Sequence, residues 1–409
     1  MKIVSYNVQA VGDYVIIQRC ANGEYSEVSA DTFKEAVLFL TRPQPDTLSV
    51  VWDVAQAYKA LFGLLPEEVQ KKNENTSKYW FDDVKVFWVG QMLGLTTRVQ
   101  IKGNNYDKVE VNLYSLKNWL AEDRIEPSVT EIASLGSQVL EVLKKWGITP
   151  KGLTSPAGVY AKSIQDKMPT VFSNPKIKDA ANYCLPVMDL EWTQQWDTSV
   201  FAPTYRYDLR SAYPSQMAEL PDTDKCRIMF SKFKMACDWG ILRVENMKPP
   251  PLHPLTDAER DKYTTEELGW VKRHGGTYTI LDGFYFTFPR PMLYPYKKVV
   301  EDLWAARRDE GSGIPVLPEV AKRTANGLSG KMSQQNKDGG FGELYNPILA
   351  TMIKSRVRLK DMAFIEEHRI GKELVAVHVD MVKSYMDLGL PEDCGMGEWR
   401  QVKEDANVL

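Results

Sequence analysis

The sequence predicts a mixed α/β (α+β) fold. Alternating strand and helix patterns run through residues 1–150, two later apolar strands each carry an aspartate, and two helical stretches around Gly311-Ser312-Gly313 stand between those strands. The expected layout is a first α/β domain, then a sheet from which a helical hairpin projects.

In chain order, KIVSYNV, DYVIIQRC and YSEVSA alternate as strands, the last two joined across Ala21-Asn22-Gly23. A helix is expected over Asp31–Leu40 with Asp31 as its cap, then the buried strand LSVVWDV and an amphipathic helix around Ala55–Leu65. KVFWVGQML reads as one further strand, and Leu113–Leu120 and Val129–Trp146 read as helices. A Pro- and Ser-rich stretch between about 150 and 190 ends this domain. The second half opens on the strand TYRYDLRSAYPSQM, and the Pro-rich segment Lys248–Pro254 reads as a loop. A helix through YKKVVEDLWAARRDE stops at the Gly-Ser-Gly turn, and the next begins near Pro318 and carries EVAKRTANGLSG. The helix PILATMIKSRVRLKDMAFIEEH and a strand pair ending in ELVAVHVDMV follow.

Length and composition bound the function. The 409 residues suffice for two or three domains at roughly 100–200 residues each. No run reaches the ~20 apolar residues of a membrane span, and MKIVSYNVQA has no basic region followed by an apolar run. No membrane partner and no secretion are therefore expected. Five scattered cysteines without a CxxC pair, and only four histidines, argue against a disulfide framework and a zinc site. A reducing, intracellular setting follows. The net charge of −3 does not advertise nucleic acid, but its distribution is uneven. Tyr296–Lys360 carries 12 Lys/Arg against 7 Asp/Glu, whereas Asp361 to the end carries 5 against 11. The first stretch suits a phosphate-facing element; the acidic tail is equally a solvated surface.

The chemistry rests on Asp208, within Tyr205-Arg206-Tyr207-Asp208-Leu209, and Asp380, within Val377-His378-Val379-Asp380-Met381. A carboxylate at the centre of an apolar strand is costly to bury unless something positive compensates it. A shared pair of divalent ions does so and suits in-line phosphoryl displacement. Oxygen ligands and retained waters point to magnesium, with manganese as a substitute. Taken singly, either aspartate also reads as a strand-end residue satisfied by backbone groups. Arg307 and Arg308 on one hairpin helix, and Lys322 and Arg323 on the other, provide donors for a triphosphate. The plain alternative is a solvated helix face.

At these residues the chain resembles family B DNA polymerases. Asp208-Leu209-Arg210-Ser211-Ala212-Tyr213-Pro214-Ser215 is similar to the family's first motif, an Asp followed by Ser-Leu-Tyr-Pro-Ser. Lys322 to Gly330 resembles the second, a Lys with Asn four and Gly eight residues later. Leu374 to Val382 resembles the third, an apolar strand carrying Asp-Thr-Asp-Ser. The three occur in the family's order, cover residues from about 180 to 400, and are phrased most like small phage and viral members.

The resemblance implies an RNase-H-like exonuclease-type domain over 1–180, a palm over 181–290 and 346–409, and a helical fingers hairpin over 291–345. It implies a template-directed DNA polymerase acting on primer–template DNA and deoxynucleotides in the cytoplasm, the host's for a phage-encoded member. Asp208, Asp380 and the Leu209 carbonyl would hold two Mg2+ ions. Ser211, Ala212 and Tyr213 would present backbone amides to the triphosphate, and Tyr213 would stack under the sugar and exclude a 2′-hydroxyl. Lys322 and Arg307 would grip the phosphates, and Asn326 would lie beside the base.

The pattern departs from the family in several places. The third motif holds one aspartate where the family has two. The favoured register sets His378 at the first and Asp380 at the second, because Leu374, Val375 and Ala376 then fill the apolar run; the other sets Asp380 first and Val382 second. Ser329 replaces the second motif's usual Tyr, and no Tyr-Gly-Gly element is recognisable near Tyr183. In the first domain Asn7 and Gln9 stand where the family has an Asp-x-Glu pair, and Gln138 where a further Asp belongs. Amides do not replace carboxylates as anionic metal ligands, so this domain is expected to lack proofreading. About 29 residues follow Asp380, too few for the family's thumb, so either a second subunit supplies that grip or the enzyme works distributively on short gaps. A non-catalytic polymerase-fold subunit and the catalytic half of a split polymerase are the competing readings, with a metal-dependent nuclease disfavoured.

Overall fold

The computed structural model describes residues 1–41, 46–81, 83–102, 105–120, 126–171, 175–188, 190–196, 203–250, 260–309, 311–335 and 341–402. The chain is a mixed α/β protein of two compact units, one of residues 1–163 and 305–324, the other of 164–304 and 325–409.

The first unit is built on eight strands: β1 (Lys2–Val11), β2 (Tyr14–Ala21), β3 (Glu24–Ala30), β4 (Thr47–Val51), β5 (Lys78–Phe81), β6 (Val84–Val89), β7 (Met92–Lys102) and β8 (Asn105–Ser115). Their order is β3-β2-β1-β4-β8-β7-β6-β5, with β4 parallel to β1 and β8 and every other neighbouring pair antiparallel. Helices α1 (Phe33–Leu40), α2 (Val54–Gly63), α3 (Glu67–Asn73), α4 (Val129–Lys145) and α5 (Pro156–Ile164) accompany the sheet. Alternation along β1 explains why both faces are covered. Val4, Tyr6 and Val8 enter one core with Phe33, Val37 and Leu61, whereas Ile3 enters a second with Ile132, Val139 and Trp119. Ser5, on the α4 side, is buried and satisfied by donating to the Val129 carbonyl at 2.7 Å.

Three local expectations are corrected in this unit. Thr32, not Asp31, caps α1, because its side chain reaches the Glu35 amide and Asp31 stands one residue too early. KVFWVGQML is two strands, β6 and β7, folded at Gly90, whose φ of 56° suits glycine. Leu113–Leu120 is not a helix: Leu113 to Ser115 pair with β4, Leu113 and Tyr114 also pair with β7, and ladder hydrogen bonds from two sides override a short apolar run.

Among the described residues, the second unit contains two sheets. β9 (Thr193–Gln195), β10 (Tyr205–Leu209), β15 (Leu374–His378), β16 (Met381–Ser384) and β17 (Trp399–Val402) form one, ordered β17-β10-β16-β15-β9 and wholly antiparallel. The other is β11 (Arg227–Ser231), β12 (Trp239–Lys248), β13 (Lys262–Thr264) and β14 (Thr277–Thr287), ordered β11-β14-β12-β13. The helices are α6 (Pro175–Met188), α7 (Ala212–Ala218), α8 (Thr265–Arg273), α9 (Lys297–Arg307), α10 (Leu317–Ser333) and α11 (Pro347–Glu367). Residues 305–324, which include the end of α9 and the start of α10, belong to the first unit. TYRYDLRSAYPSQM is therefore a strand and a helix, β10 and α7, parted at Ser211, which adopts left-handed φ, ψ of 52° and 48°. Lys248 ends β12, and residues 251–254 of the expected loop lie outside the described residues.

Helix α11 is buried along most of its length, with apolar residues all round, as a central core helix must be. It also buries charge. Arg358 donates to Glu267 Oε1 at 2.7 and 3.2 Å and to the Leu190 carbonyl, while Arg260 donates to Glu267 Oε2 at 2.8 Å. Burial alone would raise the Glu267 carboxyl, but Arg260 and Arg358 outweigh it and hold it at about 2.

Candidate active site

Alternation along β10 sends Tyr207 and Leu209 into the core and Asp208 to the other face. Asp208 stands opposite Met381 of β16 on one side and Arg400 of β17 on the other. Asp380 is not at the centre of a strand, as expected from its apolar flanks, but in the two-residue turn Val379-Asp380 that joins His378 to Met381. The reason is local. Val379 takes φ of 62°, a conformation a β-branched residue adopts at a cost, which reverses the chain there. The Leu209 amide donates to the Asp380 carbonyl at 3.0 Å, and the Val379 amide to the Trp192 carbonyl at 2.7 Å. The main chains bearing the two aspartates are thus pinned side by side.

Their carboxylates oppose one another electrostatically. Burial first, then the charge of Asp208, pushes the Asp380 carboxyl up to about 6, with His378 and Arg206 pulling the other way. A third carboxyl contributes. Asp361 of α11 is wholly buried, neither of its oxygens has a hydrogen-bond partner among the described residues, and burial together with Asp380 raises it well above the usual carboxylate range.

Beside this pair lies a cavity of about 280 Å³. Tyr213 of α7, Asn326, Ser329 and Gly330 of α10, Lys354 of α11 and Val379 of the hairpin turn line it. At its wall Glu191 accepts from the Tyr213 hydroxyl at 3.2 Å and from Lys354 Nζ at 3.0 Å. Burial, then the charges of Glu191 and Asp380, raises the Tyr213 phenol well above its ordinary value, so it serves as a neutral donor. Leu209 and Ala212 are buried next to Tyr213 in a small core with Val357, and Ser211 forms the left-handed junction between strand and helix.

The other expected residues sit elsewhere. Arg307, half-buried, and Lys322, exposed, belong to the first unit. So do Asn7, whose amide donates to Gln18 Oε1 at 3.4 Å on β1, the exposed Gln9, and Gln138, whose amide donates to Ser134 Oγ at 3.4 Å on α4.

The donor set fits a hard divalent cation. Asp208 on β10 and Asp380 in the turn beside it offer carboxylate oxygens from neighbouring stretches of main chain. Among the described residues no group of three or more His, Cys, Asp or Glu side chains stands ready to enclose an ion. Magnesium suits such a sparse set, because it is commonly held by one or two carboxylates and completed by water and phosphate oxygens. Arg400 complicates the picture. Its Nε and Nη2 both donate to Asp208 Oδ2, at 3.0 and 2.7 Å.

The fold is similar to that of a DNA polymerase. Among solved structures, Phi29 DNA polymerase complexed with primer–template DNA and incoming nucleotide substrates matches with a TM-score of 0.62, covering 97% of this chain and 83% of that chain at 12% sequence identity. At that identity the likeness speaks for the fold alone. No protein-family model and no curated protein matches the sequence.

Sequence reasoning missed Glu191, Lys354, Asp361 and Arg400. Only Asp361 left a trace, since it shares a helix stripe with the apolar Val357 and Phe364, at spacings of four and three residues. Nothing in the sequence marks the other three.

Proposed function

We propose that this chain is a template-directed DNA polymerase, transferring deoxynucleotides to a primer 3′ end. The observation that carries the reading is the pinning of Asp208 and Asp380 side by side next to a cavity that Tyr213 and Asn326 share. On this reading the second unit holds the palm, residues 181–290 and 346–409, the segment 291–345 serves as fingers, and residues 1–180 form an exonuclease-like domain without proofreading. Divalent cations on Asp208, Asp380 and the Leu209 carbonyl would neutralise charge on the attacking and leaving oxygens of the displacement. Tyr213, held by Glu191, packs under the sugar and leaves no room for a 2′-hydroxyl. Asn326 borders the base, and Lys354 offers a cation at the cavity wall. Ser211 and Ala212 position the strand-to-helix turn. The setting would be cytoplasmic. Among the described residues, no helix is long and apolar enough to cross a membrane.

A second reading, a polymerase fold retained as a non-catalytic subunit of a replication complex, is favoured by one observation, the Arg400 guanidinium already seated on Asp208. Thermal unfolding separates the two. With Mg2+, a deoxynucleoside triphosphate at 100 times its Kd should stabilise a polymerase by about 2.7 kcal/mol, and Tyr213→Ala should remove most of that gain. A melting temperature indifferent to nucleotide at every concentration would support the subunit instead.

A further inference from the structure

Asp208 and Arg400 face each other directly across the β10–β17 ladder, so their side chains leave the same face of the sheet. Both guanidinium donors converge on one carboxylate oxygen, Oδ2. The same carboxylate is the ligand that a divalent cation needs, so guanidinium and cation compete for one negative charge. Arg400 is 31% exposed and Asp208 21%, so the guanidinium can exchange this partner for water without crossing the core. It also sits on β17, at the edge of its five-stranded sheet, with β10 as its one neighbour among the described residues. An edge strand held from one side alone is the part of a sheet most able to yield.

We propose that Arg400 is a built-in counter-ion clasp, closed on Asp208 when no divalent cation is bound and displaced when one binds. The clasp offsets the repulsion between Asp208 and Asp380 in the cation-free protein and raises the cation concentration at which the site fills. Arg400 is then a positioning residue that sets when Asp208 becomes available. The inference rests on reading the aspartate pair as a cation site.

Mn2+ is the probe, its free concentration read by electron paramagnetic resonance, for the whole chain and for Arg400→Gln, Arg400→Lys and Asp208→Asn. Removing the competing charge-assisted bonds should tighten Mn2+ binding about tenfold in Arg400→Gln, with Arg400→Lys between it and wild type because an ammonium lacks the fork. Asp208→Asn should abolish the tight site. Circular dichroism melts check that each variant folds. For the unmodified protein, the Arg400 Nε–H resonance, assigned by its loss in Arg400→Lys, should shift on adding Mg2+. Equal or weaker Mn2+ binding by Arg400→Gln, or an unmoved resonance at saturating Mg2+, overturns the clasp while leaving the cation site standing. Absence of Mn2+ binding by wild type and Arg400→Gln alike overturns both.

Discussion

At the scale of single residues, the site is a problem of uncompensated negative charge. Asp361 shows it most clearly. It is wholly buried, both oxygens lack hydrogen bonds among the described residues, and burial together with Asp380 raises its carboxyl well above the usual range. A buried polar group without a partner costs about 1–3 kcal/mol, so Asp361→Leu, which keeps the branched shape with bulkier methyl ends, should raise stability in urea unfolding; a loss of stability would mean that the carboxyl has a partner in solution. Asp208, Tyr213 and Asn326 were legible in the sequence because each lies in a short local pattern whose neighbours fix its element. Glu191, Lys354 and Arg400 were not. An acid or a base in a polar segment reads as a solvated surface, and only the tertiary fold turns Glu191 toward Tyr213 and Lys354, or Arg400 toward Asp208.

At the scale of elements, two devices hold the site. The first is the β15–β16 hairpin, whose turn places Val379 at a positive φ of 62° beside Asp380. A β-branched residue there is strained by about 1–2 kcal/mol, and its side chain lines the cavity. Val379→Gly should therefore stabilise the fold by about 1 kcal/mol and weaken nucleotide binding, a split that chemical unfolding and a nucleotide titration read separately. The hairpin was legible from its alternating apolar residues, but not the exact seat of Asp380, because nothing in Val377-His378-Val379-Asp380 signals a turn. The second device is the buried Arg260–Glu267–Arg358 group joining α8 to α11. Glu267 has a folded pKa of about 2 against an ordinary value of 4.5. A depressed carboxyl gives stability that is complete above its unfolded pKa and fades as pH falls toward the folded one. Acid unfolding should accordingly steepen between about pH 4.5 and 2, and Glu267→Gln should flatten that limb. It should also cost about 3–5 kcal/mol at neutral pH by leaving two buried guanidinium groups short of a counter-charge. An unchanged acid limb in Glu267→Gln would contradict the assignment.

At the scale of the whole molecule, the fold class was legible because periods of two and of 3.6 residues alternate cleanly through most of the chain. Misreadings fell where pairing decides: Leu113–Ser115 became a strand because β4 and β7 flank it, a fact absent from its own residues. The two compact units were less legible, since residues 305–324 join the first from the far side of the chain. Val316, Leu317 and Val320 bury themselves with Trp119 and Leu153, a long-range contact that no local pattern announces. The likeness to a DNA polymerase fold covers nearly the full chain, yet fold does not fix function. The decisive measurement is extension of a labelled primer–template by the whole chain with deoxynucleotides and Mg2+ at low salt, beside Asp208→Ala and Asp380→Ala. Extension by the wild type, lost in both variants, is the result predicted here. Extension undiminished by either substitution, or none by the wild type at any protein concentration, would contradict it.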